Sequence, residues 1–186
     1  MNPLLVSLIS LIISSISTIV VSVTAFLIWR QIKTTHDWNR RKTTQETLDK
    51  LVIGECPELR HKLEQGCKCT IWDKAQTYET VTKPLSKEQK EEIDYYLARI
   101  LNIFETIAIN IKNNVIDEDI CYDYFGLIFT EYHRWTKPFI DEKRKIAGNP
   151  RVLLDFGNYA KKWSERMDLE RNEFEKGISI PGKGKL

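Results

Sequence analysis

The chain has 186 residues, of which 42% are apolar and 29% charged, and its formal net charge at pH 7 is +2. This length provides for one domain of ordinary size, yet residues 1–29 contain no Asp, Glu, Lys or Arg, so all 28 basic and 26 acidic side chains follow them. Such a division excludes a soluble single-domain enzyme, a multi-span transporter and a secreted disulfide scaffold.

Residues 4–29 form one apolar run, composed mainly of Leu, Ile, Val, Phe, Ser and Thr. As a helix this run is ~39 Å long and exceeds the ~30 Å hydrocarbon core of a bilayer. A cleaved signal peptide would have basic residues before a shorter apolar core and small residues at its end. Here no basic side chain precedes the run, and the run ends in the large residues Phe26 to Trp29. The sequence therefore predicts an uncleaved transmembrane anchor over residues 1–29.

The segment that follows the anchor predicts its orientation. Residues 30–42 contain one acid, Asp37, and five basic residues, which are Arg30, Lys33, Arg40, Arg41 and Lys42. By the positive-inside rule the N-terminus lies outside the membrane and the C-terminal domain lies in the cytoplasm. The same cations can contact the anionic headgroups of the lipid bilayer.

Residues 30–53 are predicted to form a basic stalk helix, because neither Gly nor Pro interrupts the chain between Pro3 and Gly54. Thr43 and Glu46 match the spacing of a capping box. A new helix that begins near Thr43 is therefore the alternative.

The hydroxyl side chains of the anchor recur every four residues, at Ser10, Ser14, Thr18 and Ser22. Small residues at this spacing let two helix backbones approach closely, and their hydroxyls can form hydrogen bonds across the contact. This pattern predicts a homo-oligomer that associates through the anchor. In the alternative, each hydroxyl donates to the carbonyl four residues earlier in its own helix.

Downstream of the stalk the periodicity is helical, which predicts an all-α cytosolic bundle over residues 54–176. Pro57 to Gln65 is a short helix between a starting Pro and a terminating Gly. Residues 66–85 lack a helical period, and we expect a packed loop or a short β excursion near residues 70–82. Ser86 and Gln89 form a capping box for the most periodic helix. Its apolar face consists of Ile93, Leu97, Ile100, Phe104, Ile107 and Ile111.

Two further helices complete the predicted bundle. Asp117 caps the first, which Pro138 should kink or stop because it lacks an N–H and clashes with the preceding turn. Its predicted buried face is Cys121, Tyr124, Ile128, Tyr132, Trp135 and Phe139. After a break at residues 147–150, the last helix carries Leu153, Phe156, Ala160, Trp163 and Met167. Residues 177–186 have little to bury and are predicted to be a flexible tail.

The sequence lacks the common catalytic motifs. Neither a Gly-rich phosphate loop nor an H-E-x-x-H or G-x-S-x-G motif occurs, and the three histidines are far apart in the sequence. We therefore predict no catalytic residues and no cofactor. Four candidate zinc ligands lie close together, but they lack the usual C-x₂₋₄-C spacing; they are Cys56, His61, Cys67 and Cys69. We predict reduced cytosolic thiols and no metal site.

A basic cluster around Pro138 predicts a site for an anion. Its proposed ligand-binding residues are Arg134, Lys137, Arg144 and Arg151. Arg151 is expected to open the last helix, whose free N–H groups and positive dipole end would favour phosphate or carboxylate. The net charge of only +2 argues against a nucleic-acid duplex as partner. A solvated surface with internal ion pairs is the alternative.

Three polar residues are predicted to be buried: Glu105, Asn102 and Trp135. A half-buried carboxylate requires an Arg partner or several hydrogen-bond donors. Arg144, Arg151 or the indole N–H of Trp135 could supply them to Glu105. A catalytic role for Glu105 is the alternative.

The segment Leu101 to Ala108, together with Asp117, Trp135 and the Asn149-Pro150 turn, resembles a bacterial family of single-pass membrane proteins. The members have a helical cytosolic domain of unknown function. The resemblance implies a bacterial inner-membrane location and supplies no catalytic residues.

These observations predict a non-enzymatic, membrane-anchored protein of interaction or sensing that self-associates through its anchor. A protein partner or a small anionic ligand would bind its cytosolic domain. One alternative is a membrane-perturbing effector of a bacterial antiviral defence system, gated by an anionic, nucleotide-like ligand. A second alternative is a membrane-tethered enzyme.

Overall fold

The structure, a computed structural model, describes residues 3–68 and 72–176. Within these ranges it contains six α-helices, one π-helical segment and no strand, which confirms the all-α fold. The chain divides into two compact units between residues 42 and 43. The predicted flexible tail, residues 177–186, lies outside the described residues, as do residues 70 and 71 of the expected β excursion.

Helix α1 extends over Pro3–Asp49 and contains the apolar run. It continues through Thr43, so the alternative helix start at this residue does not form. In the described part of the chain, Ile9–Asp49 is the one helix long and apolar enough to cross a membrane, and its apolar window is 0% buried. The core helix of a soluble domain would instead be mostly buried. The long apolar helix is therefore compatible with a single membrane span.

The chain changes direction in a π-helical segment, Lys50–Glu55, in which Gly54 has a non-helical conformation. Helix α2, Cys56–Cys67, begins with Pro57 in its first turn and ends at Lys68, which has a left-handed conformation. The predicted end at Gln65 was thus two residues too early.

Helix α3, Tyr78–Thr82, lies where a short β excursion had been considered. Thr77 and Thr80 form a reciprocal capping box at its start, and Tyr78 is 2% exposed. The β-prone composition of this stretch is therefore outweighed by a local cap and by burial of one aromatic ring.

Helix α4, Lys87–Lys112, confirms the prediction closely. The Ser86 hydroxyl accepts from the Gln89 N–H at 3.3 Å, and the Gln89 side chain accepts from the Ser86 N–H at 3.0 Å. All six residues of the predicted apolar face are buried. The helix packs against α2 and α6 and lies at the centre of the core.

Helix α5, Glu118–Ala147, is capped by Asp117 as predicted, but its buried face differs. Tyr124 is 54% exposed, whereas Phe125 and Phe129 are buried. The prediction for Tyr124 was wrong because α5 packs against α4 and α6 through the face that carries Phe129, whose ring contacts Phe104 and Trp163.

Pro138 does not stop α5, which continues for nine more residues to Ala147. The aromatic side chains before and after it, Trp135 and Phe139, are 0% and 1% exposed. Their packing holds the helix on both sides of the proline and outweighs the lost hydrogen bond. Gly148 then ends the helix with φ 58°, a conformation that glycine adopts without steric cost.

Helix α6, Leu154–Glu175, begins three residues later than predicted. It joins α4 and α5 through a buried aromatic cluster formed by Phe104, Phe129, Phe156 and Trp163. The ring centroid of Phe129 lies 4.8 Å from that of Phe104, 5.2 Å from that of Phe156 and 4.8 Å from that of Trp163. This cluster fixes the positions of α5 and α6, which form the walls of a cleft described below.

Candidate functional site

A cleft of ≈ 640 Å³ lies between α5 and α6. Its charged lining consists of five cations and two carboxylates, so that its formal charge is +3 with histidine neutral. These residues are Lys74, Arg134, Arg144, Lys161, Arg171, Glu131 and Asp168. We call this feature the cationic cleft.

The α6 wall of the cationic cleft has a helical period. Five of its residues step by four, three, four and three positions, which places them on one face of α6; they are Gly157, Lys161, Ser164, Asp168 and Arg171. This stripe was not predicted, although its spacing is visible in the sequence. The stripe is polar, and the faces of the helices in the charged domain were predicted from their apolar residues.

On the α5 side the chain itself holds two arginines in place. Arg134 binds Glu131 through Nε and Nη2, both at 2.8 Å from Oε2. Arg144 donates from Nε to the Val152 carbonyl at 3.0 Å and from Nη2 to the Leu153 carbonyl at 3.3 Å. The guanidinium group of Arg144 therefore ties the end of α5 to the turn before α6 and has a fixed orientation at the cleft.

His133 lies beside Arg144 at the point where α5 faces Gly157. A Cβ atom added to Gly157 would lie 3.4 Å from His133 Nε2 and 3.9 Å from Arg144 Nη2. The pKa of His133 is lowered from its ordinary value, first by burial and then by the positive charges of Lys137 and Arg144. His133 is therefore held in its neutral form more strongly than a solvated histidine.

The structure brings together two of the four predicted ligand-binding residues. Arg134 and Arg144 line the cleft, whereas Lys137 and Arg151 are exposed and lie outside its lining. Arg151 does not open α6, because the chain forms a turn up to Leu153. The N-terminus of α6 therefore does not lie at Arg151, and the predicted anion site stays a prediction of which two members line the cationic cleft.

Glu105 occupies the N-terminus of α6 that had been predicted to bind an external anion. Its Oε1 accepts from the Asp155 N–H at 3.3 Å, and its Oε2 accepts from the Phe156 N–H at 2.7 Å. No side chain of the preceding residues caps α6, so a carboxylate from α4 performs this role. The half-buried position of Glu105 agrees with the prediction, and its partners are two backbone donors.

The other two residues predicted to be buried behave differently. Asn102 is exposed, because on α4 it lies about 200° around the axis from the buried Phe104; its predicted burial was wrong. Trp135 is 0% exposed, as predicted. Its indole N–H has no hydrogen-bond partner in the described ranges, so it does not pair with Glu105.

The thiols of Cys56 and Cys121 are unsuited to nucleophilic chemistry. Burial raises the pKa of Cys56 to about 11 and that of Cys121 to about 12. Both thiols are therefore protonated at neutral pH. Residues 3–68 and 72–176 contain no group of three His, Cys, Asp or Glu side chains placed to hold a metal ion. Cys69, one of the four candidate ligands, lies outside these residues.

A second cavity of ≈ 410 Å³ lies among α2, α4 and α5. Its walls are mainly apolar, and its polar rim includes Arg60, His61 and Glu64 of α2. Burial raises the pKa of the lining Tyr132 phenol above its ordinary range. The phenol is therefore neutral at physiological pH, and this cavity contains fewer cations than the cationic cleft.

In α1, two members of the predicted oligomerisation stripe have partners within their own helix. Thr18 donates to the Ser14 carbonyl at 3.0 Å, and Ser22 donates to the Thr18 carbonyl at 2.9 Å. This is the arrangement of the alternative interpretation. It uses the donor of each hydroxyl but leaves oxygen lone pairs that can accept from a neighbouring helix.

Comparison with known proteins identifies one family. The model of a domain of unknown function (DUF4760) matches residues 12–163, a range that begins in α1 and ends in α6. No curated protein and no solved structure matches the chain.

Proposed function

The chain belongs to the DUF4760 family, a domain of unknown function, and we propose from its own residues that it is a non-enzymatic, membrane-anchored protein of interaction and sensing. The observation that carries this proposal is the charge-free helix of residues 4–29, whose apolar side chains over residues 9–29 are exposed, followed by a folded charged domain. Exposed apolar surface of this length requires a bilayer or another apolar partner.

The charges that flank the anchor support a cytoplasmic domain. Five basic residues follow the apolar run within thirteen positions, against one acid. Loops with this excess stay on the cytoplasmic side. The predicted anchor and the resemblance of the sequence to a bacterial membrane-protein family support the plasma membrane of a bacterium as the proposed location.

The charged domain supports sensing rather than catalysis. The half-buried carboxylate of Glu105 accepts hydrogen bonds from two backbone N–H groups. The thiols of Cys56 and Cys121 are protonated at neutral pH. The cationic cleft instead offers a surface of formal charge +3 to an anion or to an acidic protein partner. In this proposal, the domain binds a ligand at the cleft, and the binding is transmitted to the anchor.

Self-association through the anchor is the second part of the proposal. Small residues at positions 10, 14, 18 and 22 form one stripe along α1. Within a bilayer, the hydrophobic effect does not drive helices together, so their association depends on close packing and hydrogen bonds. A stripe of small hydroxyl residues provides both. A ligand that alters the domain could thereby change the packing of neighbouring anchors.

A pair of matched variants tests self-association. Ser14→Leu with Thr18→Leu fills the centre of the stripe, whereas Ser15→Leu with Thr24→Leu replaces two hydroxyls at its margins, which donate to the Leu11 and Val20 carbonyls. We expect the first pair to lower the oligomeric fraction at least fivefold in fluorescence energy transfer between labelled full-length chains in liposomes. The second pair should leave it within twofold. Equal association of both variants and wild type would contradict the proposal.

Alanine variants separate close packing from hydrogen bonding. Ser14→Ala with Thr18→Ala keeps the side chains small and removes both hydroxyls, so association through packing alone should persist. Leakage of a dye from the same liposomes distinguishes the alternative function. Leakage that follows oligomer formation would favour the membrane-perturbing effector over the sensing protein.

A further inference from the structure

We propose that the cationic cleft binds a small phosphate ester, with the phosphate group seated over Gly157 beside Arg144. The proposal rests on the sensing role given above for the domain, but it requires neither the anchor nor self-association. It names the ligand class and the position of the charged group within the cleft.

The first argument is the space beside Gly157. Glycine inside a helix costs about 1 kcal/mol relative to alanine, and Gly157 lies in the second turn of α6 with no positive φ that would require glycine. The space where its Cβ would lie is 3.4 Å from His133 Nε2 and 3.9 Å from Arg144 Nη2. Because a Cβ is absent, a ligand oxygen can approach the Gly157 backbone at the wall of the cleft, next to the Arg144 guanidinium.

The second argument is the chemistry around this place. Arg144 has five N–H donors, of which two are directed to backbone carbonyls that fix the plane of the group, and its Nη1 lies 3.7 Å from Asp141 Oδ1. A fixed guanidinium is the side chain best suited to recognise a phosphate, since less entropy is lost on binding. Lys74 and Lys161 also line the cleft, and neither has an ion-pair partner within residues 3–68 and 72–176. These cations can neutralise the charge of a phosphate dianion.

The third argument is the size and mixed character of the cleft. Its volume of ≈ 640 Å³ lies within the ~300–1,000 Å³ typical of small-molecule sites. Beyond the charged groups it is lined by Leu127, Ala160 and Met167, which offer an apolar surface. A free phosphate ion would leave this surface empty. A phosphate ester with an organic group fills both parts of the cleft.

The test uses the full chain in nanodiscs of phosphatidylcholine, with adenosine 5′-monophosphate and inorganic phosphate as soluble probes. We expect the nucleotide to bind at least tenfold more tightly than inorganic phosphate in isothermal titration calorimetry. A second set of nanodiscs that contains phosphatidylglycerol tests a lipid headgroup as the source of the phosphate. If phosphatidylglycerol blocks the nucleotide in the wild-type chain, the bound ester is the lipid.

Three variants locate the site. In Gly157→Ala, the added Cβ makes ordinary van der Waals contact with His133. The thermal midpoint without ligand should therefore be unchanged or higher. Because the methyl group covers the backbone at this wall of the cleft, nucleotide affinity should fall at least tenfold. Lys161→Gln should weaken binding about threefold to tenfold. Arg151→Gln is the control, since Arg151 is exposed and lies outside the cleft, and its affinity should stay within twofold.

Defined results overturn the proposal. It fails if neither the nucleotide nor phosphatidylglycerol binds, if Gly157→Ala binds like wild type, or if Arg151→Gln weakens binding as much as Lys161→Gln. Such results leave the anchor and its association intact, because these are measured by energy transfer in liposomes. A loss of association in the stripe variants, conversely, does not alter nucleotide binding by the domain.

Discussion

At the scale of single residues, Glu105 shows how one side chain can complete a distant element. Helix α6 has Leu153 in a left-handed conformation at its N-cap and no capping side chain of its own. The Glu105 carboxylate satisfies two N–H groups of the first turn and places negative charge at the positive end of the helix dipole. The same contact joins α4 to α6.

Removal of this cap should destabilise the domain. For Glu105→Ala we expect a loss of about 1–2 kcal/mol in the free energy of unfolding, as for other helix caps. In a chain of this size, this corresponds to a thermal midpoint lower by about 2–8 °C. Circular dichroism of the full chain in detergent measures it. Asn102→Ala, on the exposed face of the same helix, should change stability by less than about 0.5 kcal/mol; an equal effect of both variants would refute the capping role.

His133 makes stability depend on pH. Since its folded pKa lies below the ordinary value near 6.5, the unfolded chain binds more protons in the window below that value, and stability falls as the pH drops through it. The groups that face the ring are Lys137, Arg144 and Asp141 of α5, with Phe156 and Gly157 on α6.

The variant His133→Gln isolates this contribution. Between pH 7.5 and pH 5, wild type should lose stability relative to His133→Gln, with a slope below the ~1.4 kcal/mol per pH unit that one group can contribute. Thermal unfolding at a series of pH values measures the difference. Parallel curves for the two proteins would show that His133 has the same pKa in the folded and unfolded chains.

At the scale of elements, one buried hydroxyl fastens the end of α1 to the start of α5. The Thr44 hydroxyl accepts from the Asp117 N–H at 2.7 Å, and Thr44 is 0% exposed. Asp117 in turn accepts from the N–H groups of Asp119 and Ile120, which begins α5. A cap and a tertiary hydrogen bond thus coincide at one residue.

We expect Thr44→Val to cost about 1–3 kcal/mol, because valine keeps the shape of threonine and leaves the Asp117 N–H buried without an acceptor. The neighbouring variant Thr43→Val, at a half-exposed position, should cost less than about 0.5 kcal/mol. Thermal unfolding of the two full-length variants compares them. If they are equally stable, the hydrogen bond of Thr44 contributes nothing to the domain.

Local signals predicted the helices, and tertiary contacts explain what those signals missed. Ser86 with Gln89 and the apolar period of α4 identified that helix because its start, face and end are encoded nearby. In α5 apolar residues lie on more than half of the circumference, so the sequence could not distinguish the face with Tyr124 from the face with Phe125. Their burial depends on which helices pack there.

The candidate site was predicted in part for the same reason. The cluster with Arg134 and Arg144 was visible as a run of basic residues in the sequence. The start of α6 could not be predicted, because its cap comes from Glu105, about fifty positions earlier in the chain. That cap closes the helix N-terminus to external anions, and the cationic cleft between α5 and α6 is a separate surface.

At the scale of the whole molecule, the buried core belongs to one part of the chain. All buried residues of the described ranges lie at Thr44 or later. The free energy of folding of the domain therefore comes from residues after 42, and removal of the apolar helix should leave a soluble protein.

We expect residues 43–186 alone to unfold cooperatively, with a thermal midpoint within about 5 °C of that of the full chain, as one folded unit should. Residues 56–186, which lack Thr44 and the buried Leu48, should be less stable by at least about 3 kcal/mol. Circular dichroism in buffer without detergent measures both. Aggregation of the longer fragment would mean that the domain depends on the apolar helix for its fold.

The orientation of the chain should follow the charges after the anchor rather than the domain itself. In the segment after the anchor, Lys33 lies over the Trp29 ring at 5.6 Å, and Arg40 is 4.0 Å from Asp37. Asp37 is the one acid of residues 30–42 against five basic residues, so this segment remains strongly basic. A green fluorescent protein fused after Leu186 should fluoresce in bacteria, because it folds in the cytoplasm, whereas a fused alkaline phosphatase should be inactive.

Replacing the five basic residues of 30–42 with Gln, and adding three Lys before Pro3, should reverse both signals in at least half of the molecules. Asp37→Asn is the control and should leave the orientation unchanged, since acidic residues contribute little to topology. An active phosphatase on the unaltered chain would place the cationic cleft outside the cytoplasm and would exclude a cytosolic phosphate ester as its ligand.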